Sequence, residues 1–324
     1  MNRLYCHLLL AVGAFSQVSL CLADAPAPTA LKGVYAVNGR LHVNLFGAPE
    51  GDPITTGPGD MKPSWSKTGN KIVFFRMSKY TPDVSNWKNA ICVVNADGSG
   101  FRKLTDGTHG DFNPTWSRDG SNAIYFSRRD ADTGRYVVHR TTAEANPGDE
   151  VAVSDPARNT FSVSSLKDGR LFVTSWGRGI QDYCFLLTPG TEGSAKYEPV
   201  KFSPPQRGMA DRISISPSET KICYDFQKGF GMNQYPGRTI YVADFDVATR
   251  TVSNPVAISD PDPNPKTMTL YPCWTSDETA VVYHCDKSGK NQLYMYRLQD
   301  QSTTCVSTNP NAGWLFACGE ATPK

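Results

Sequence analysis

Pro114-Thr115-Trp116-Ser117-Arg118-Asp119-Gly120 restates, about 50 residues on, the stretch Pro63-Ser64-Trp65-Ser66-Lys67-Thr68-Gly69. A short run of β-branched and aromatic residues follows each. The frame continues in weaker form through Ser164-Ser165-Leu166-Lys167-Asp168-Gly169 and Ser214-Ile215-Ser216-Pro217-Ser218-Glu219, then sharpens at Pro272-Cys273-Trp274-Thr275-Ser276-Asp277-Glu278. A period of this length marks a chain built from stacked supersecondary units.

Each turn is followed by a second apolar run, at Lys71 to Phe75, Ala123 to Ser127, Arg170 to Ser175, Lys221 to Phe226 and Ala280 to Cys285. A third begins at Ala90, Tyr136, Tyr183, Thr239 and Gln292, and a fourth at Phe101, Glu150, Tyr197, Pro255 and Thr303. The runs are rich in Val, Ile, Tyr and Phe and bounded by Gly, Asp, Asn and Pro, which is strand and turn chemistry without a helical period. Four strands per repeat make a propeller blade.

Lys32 to Val37, Leu41 to Phe46 and Asp52 to Thr56 read as strands two, three and four of a further blade that lacks its first strand. Gly313-Trp314-Leu315-Phe316-Ala317-Cys318-Gly319 can supply it, which would close the ring and remove free sheet edges. The expectation is an all-β, six-bladed β-propeller of four-stranded antiparallel blades, with N- and C-terminal strands sharing one blade. Ser64, Thr115, Ser164, Ser214 and Cys273 form a column of small residues, as crowding of the innermost strands around an axis requires. If Cys318 takes the sixth place, a Cys273 to Cys318 bond would clasp the closure; the alternative is that the cysteines are small buried hydrophobes.

Residues 1–23 hold Arg3, an apolar run from Leu8 to Phe15 and the small-residue site Cys21-Leu22-Ala23, the pattern of a secretory signal. The bulky Leu20 fits poorly with lipidation of Cys21. Residues 24–324 then form a single propeller domain, periplasmic or secreted, monomeric and not membrane-spanning. Lys and Arg total 33 against 31 Asp and Glu, a balance that argues against nucleic acid as a partner. Seven cysteines lie beyond residue 23, without a CxxC element.

The segment Asn95-Ala96-Asp97-Gly98-Ser99-Gly100-Phe101-Arg102-Lys103-Leu104-Thr105, followed by Phe112-Asn113-Pro114-Thr115-Trp116-Ser117-Arg118-Asp119-Gly120 and Ala123-Ile124-Tyr125-Phe126-Ser127, resembles the WD40-like repeat of TolB propellers, often called PD40. The resemblance implies a six-bladed propeller in an exported bacterial protein. Similar propellers serve as binding modules, as parts of peptidases and as polysaccharide lyases, so the fold does not select among them.

In such blades the loops from strand two to three and from strand four to the next blade emerge on one face. Long loops at Met77 to Asn89, Gln227 to Arg238 and Asp260 to Leu270 all fall there, which makes that face the binding candidate. Tyr80, Trp87, Trp176, Arg178, Tyr235 and Arg238 are its aromatic and cationic residues, suited to a glycan ring or a peptide, or else to packing the loops together. At the channel mouth the segments leading into strand one contribute Lys62, His109, Asp111, Arg158, Arg207, Arg212 and Tyr271.

The first reading is a non-enzymatic propeller that binds a protein or glycan ligand on the long-loop face. The alternative is a polysaccharide lyase acting on a uronate-containing glycan by β-elimination, with His109 as base, Arg207 as the cation on the carboxylate and Tyr271 as proton donor. His42, His139 and His284 lie in or at the end of strand runs and read as structural. No cofactor or metal site is expected: there is no HExxH, no metal-ligand spacing and no GxSxG elbow, and Asn95 to Ser99 reads as a β-turn.

Overall fold

A computed structural model describes residues 31–57, 59–78, 87–175, 183–191, 194–203, 208–228, 237–259 and 267–307, which contain strands and turns and no helix. An N-terminal hairpin is formed by β1 (Lys32–Val37) and β2 (Arg40–Leu45). Blade 1 follows as β3 (Asp60–Trp65), β4 (Lys71–Met77), β5 (Asn89–Asn95) and β6 (Arg102–Lys103), and blade 2 as β7 (Gly110–Trp116), β8 (Ala123–Arg129), β9 (Tyr136–Thr142) and β10 (Val151–Ala152). Blade 3 comprises β11 (Thr160–Ser165), β12 (Leu171–Ser175), β13 (Cys184–Thr188) and β14 (Lys196–Pro199). After β15 (Lys201–Ser203), blade 4 is β16 (Gly208–Ile215), β17 (Lys221–Lys228), β18 (Thr239–Asp246) and β19 (Thr251–Ala257). Blade 5 is β20 (Thr269–Trp274), β21 (Ala280–Cys285), β22 (Gln292–Arg297) and β23 (Thr303–Cys305). Within each blade consecutive strands pair antiparallel, as the turn chemistry requires.

The ring is held by apolar layers between blades, because successive side chains of a strand point to opposite faces. Strand β1 shows this directly. Val34 and Ala36 pack with Trp65, Ile72 and Phe74 of blade 1, while Tyr35 and Val37 pack with Ala280, Val282 and Leu293 of blade 5. The N-terminal hairpin thus sits between the last four-stranded blade and the first. The C-terminal strand expected at 313–319, and Cys318 with it, lie outside the described residues. Among the cysteines, Cys92, Cys223 and Cys285 are buried thiols in second and third strands.

A hydroxyl column holds the fourth strands. The backbone N–H of Leu41 donates to Thr55 Oγ1 at 3.0 Å, Ile91 to Thr105 at 2.9 Å, Val138 to Ser154 at 2.8 Å, Ile240 to Ser259 at 2.9 Å and Leu293 to Ser307 at 3.0 Å. The residue before each hydroxyl returns its own N–H to the same third-strand carbonyl: Ile54, Leu104, Val153, Ile258 and Val306. Each hydroxyl is buried, so it satisfies a backbone donor that water does not reach. Two of these bonds, at Ile54 and Thr55, replace the strand expected at Asp52 to Thr56, which makes no ladder of its own.

Innermost strands share a second device. The register slips between Met61 and Ser64, Phe112 and Thr115, Asp211 and Ser214, and Leu270 and Cys273. At each slip one residue takes positive φ: Lys62 at 51°, Asn113 at 50°, Arg212 at 47° and Tyr271 at 56°. These are bulges, which re-aim one side chain of a strand at the cost of local strain.

Candidate functional site

The bulges point one residue per blade into the central channel. Lys62, Asn113, Arg212 and Tyr271, with Ser162 at the matching place in blade 3, line a cavity of about 510 Å³. Left-handed backbone costs a bulky residue about 1 kcal/mol or more, and asparagine or glycine would bear it more easily. Lysine, arginine and tyrosine nevertheless hold three of the four left-handed positions. The side chains, rather than the turn, give these positions their use.

Tyr271 is the meeting point. Lys62 Nζ lies 4.3 Å from the centroid of its ring and Arg212 Cζ lies 4.4 Å from it. Both distances are in cation–π range, so one ring engages two positive side chains from different blades. Behind them Asp225, wholly buried, accepts from Arg212 Nη1 at 3.1 and 3.2 Å, from Arg238 Nη1, and from the Tyr271 N–H at 3.4 Å. Arg238 also donates to Gln227 Oε1 at 3.3 Å. A buried carboxylate engaged in this way fixes the guanidinium planes, since the arginine fork is directional.

Above and below that level the wall is hydroxyl-rich, with Ser64, Thr115, Ser164 and Ser214 from the small-residue column. At the tight-turn end Arg118 reaches from blade 2 to blade 4, donating to the carbonyls of Ser216 and Ile215 at 3.0 Å each. Lys67 and Lys167 line the same end, and Asp119 is the acidic residue among the lining side chains. The channel is therefore basic along its length. It suits an anionic ligand, and its volume suits a small molecule or a chain end rather than a folded domain.

The expected site residues divide. Tyr271 and Arg212 line the cavity, and Arg238 stands behind it on Asp225. His109 is half-buried at the start of blade 2; its carbonyl accepts from the Asn89 N–H at 2.8 Å, and it is not among the residues lining the cavity. Asp111 is fully buried and bound by Arg128 at 2.8 and 3.0 Å, matching the Asp60 to Arg76 pair one blade earlier. Trp87 packs on Phe112 with centroids 5.6 Å apart, and Arg158 lies over the rings of Tyr197 and Phe185 at 4.6 and 5.3 Å. These three carry packing and ion-pair roles within and between blades. Tyr80, Trp176, Arg178, Arg207 and Tyr235 lie outside the described residues. Among the described residues no cluster of metal-ligating side chains is present.

Asp225 was not singled out by sequence. Its signal is a charge inside the apolar run Lys221-Ile222-Cys223-Tyr224-Asp225-Phe226, on a strand that the frame places next to the innermost one.

No family model matches the sequence, and no curated protein does. Solved structures do match in shape. TolB from Acinetobacter baumannii superposes with a TM-score of 0.62 at 13% identity, over 92% of this chain and 68% of that one. Kuenenia stuttgartiensis hydrazine synthase gives 0.65 at 14% identity, over 92% of this chain and 48% of that one. An oligogalacturonate lyase from Vibrio parahaemolyticus gives 0.51 at 11% identity, over 84% and 76%. The chain thus spans about half of the hydrazine synthase chain and about two thirds of TolB. At these identities the likeness is one of fold: the chain is an all-β, TolB-like propeller.

Proposed function

We propose that this TolB-like propeller is an exported binding protein that takes a glycan or protein ligand at the mouth of its central channel. The carrying observation is the convergence of Lys62, Arg212 and Tyr271, from three blades, on one cavity. Innermost strands begin at the end of the blades where second strands finish, so the bulges lie toward that end of the channel. The segment 1–23 supports export, and no helix among the described residues is long and apolar enough to cross a membrane.

Elimination from a uronate is the second reading. The phenol of Tyr271 beside two cations supports it, because such cations neutralise a carboxylate. His109 and Tyr271 do not share the cavity wall, which supports binding over turnover.

The test is a glycan array probed with labelled protein, wild type beside Arg212→Met. Retention on a subset of glycans that Arg212→Met loses is the expected outcome. Retention that is indifferent to Arg212→Met would move the ligand away from the channel.

A further inference from the structure

We infer that Lys62, Tyr271 and Arg212 form a clamp for a single carboxylate of a sugar acid, and that Asp225 is the positioning residue that holds the clamp open. The inference rests on the binding reading above and narrows it to one ligand chemistry.

Two cations at 4.3 and 4.4 Å from one ring centroid are no farther apart than a Debye length at 0.1 M salt, about 10 Å, so both contribute to the attraction of an anion that reaches this level of the channel. Lys62 and Tyr271 are half-buried and the Arg212 side chain is 8% exposed; all three line the cavity, so a ligand in the channel meets them. The ring supplies an apolar wall beside both cations; an ammonium carries three donors and a guanidinium five, of which Arg212 gives Nη1 to Asp225. A carboxylate has the two oxygens needed to take one donor from each.

The rest of the wall selects what carries that carboxylate. Ser164 Oγ donates to the Ile213 carbonyl at 2.6 Å and Thr115 Oγ1 to the Trp116 carbonyl at 3.5 Å, while Ser64 and Ser162 present hydroxyls beside the clamp, able to donate and accept in the same place. Such a lining matches a ligand that itself carries hydroxyls. A fatty acid would leave these groups unpaired, whereas a hexuronate ring would engage them. Lys67 and Lys167 at the tight-turn end extend the same preference to a further acidic unit of a short linear chain.

Asp225 acts through Arg212. Its carboxylate takes the Arg212 Nη1 and the Tyr271 backbone N–H together, tying the guanidinium to the strand that carries the ring. Removing the charge would free the guanidinium to swing without removing any ligand contact. That separates positioning from binding.

The experiment is calorimetric titration of the mature protein with a mannuronate trimer, a mannose trimer and triglutamate, at low and at 0.5 M salt. The mannuronate trimer should bind at least tenfold tighter than the neutral trimer, with the difference shrinking in high salt. Lys62→Met should remove most of that tenfold. Asp225→Asn should do the same in protein that is still folded, with a lowered unfolding midpoint because two buried arginines lose their carboxylate, and Asp225→Glu should restore part of the binding. Equal binding of acidic and neutral trimers would overturn the clamp while leaving a binding propeller in place. Binding of triglutamate alone would overturn the sugar-acid assignment in favour of an acidic peptide. Silence with all three would overturn the clamp and the glycan reading together.

Discussion

Trp116 Nε1 donates to the backbone carbonyl of Ser64 at 3.1 Å, joining the innermost strand of blade 2 to that of blade 1. In blade 2 the Trp that marks the repeat in sequence is thus an inter-blade tie, and its indole also packs in the layer between the two blades. Trp116→Phe keeps most of the packing and deletes the donor. A loss of about 1 to 2 kcal/mol is expected, read as a lower denaturant midpoint with unchanged slope. An unchanged midpoint would mean that the tie contributes nothing.

The hydroxyl column gives a cleaner test. Thr105→Val is nearly isosteric but removes the acceptor of the Ile91 N–H, in a residue with no solvent exposure. A buried donor left unmade costs about 1 to 3 kcal/mol, so Thr105→Val should be destabilised by that amount and Thr105→Ser far less. Equal effects of the two substitutions would point to lost methyl packing instead.

The propeller was legible because its signals are local. Trp-Ser-x-x-Gly turns and alternating Val, Ile and Tyr runs state strand ends and faces without reference to distant residues. The fourth strands of blades 1, 2 and 5 were read too long, for two hydrogen bonds from an apolar-Ser/Thr pair do the work of a ladder, as also at Ile54 and Thr55, whereas that of blade 4 starts earlier and runs longer, over Thr251–Ala257. The bulges left no common residue: Pro63, Pro114 and Pro272 follow three of them, but Ile213 follows the one at Arg212. Arg212 and Tyr271 were reached by position in the frame. Their organiser, Asp225, was not, because strand pairing and a loop crossing bring Arg212 and Arg238 to it, each 13 residues away.

Two ion pairs of unlike burial should differ in worth. Asp111→Asn leaves Arg128, whose side chain is 13% exposed, short of its fully buried partner, with Glu150 as its remaining carboxylate. A loss of about 3 kcal/mol is expected. Asp244→Asn, which breaks a pair with Lys221 at 40% and 45% exposure, should cost less than about 1 kcal/mol. Chemical denaturation of both variants side by side decides the matter, and equal losses would refute the burial argument.

Acid sensitivity should begin above the carboxylate range. Burial holds the imidazoles of His139 and His284 below the ordinary histidine value of 6.5. Above that value both folded and unfolded chains are neutral at these sites and stability is flat. Below it the unfolded chain takes protons that the folded chain refuses, so stability falls as pH drops from 6.5 toward the lowered values. The midpoint of urea unfolding should therefore decline between pH 7 and 5. His284→Gln, at a fully buried site whose Nε2 lies 3.1 Å from Asn291 Oδ1, should shallow that decline. An unaltered slope would assign the decline to other groups.

Turnover and binding part most sharply at His109. A lyase needs a base within hydrogen-bond reach of the proton it removes, and His109 stands outside the wall that Tyr271, Lys62 and Arg212 share. Incubation of the mature protein with uronate polysaccharides should therefore give no rise in near-ultraviolet absorbance from unsaturated product, while the same polysaccharides still bind. If absorbance does rise, two variants locate the chemistry. Loss in His109→Ala with binding retained would place the base at the start of blade 2 and require closure of that segment on the channel. Loss in Tyr271→Phe with His109→Ala active would make the cation-flanked phenol the proton-transfer group, and the same clamp that holds a carboxylate would then be acidifying the carbon next to it.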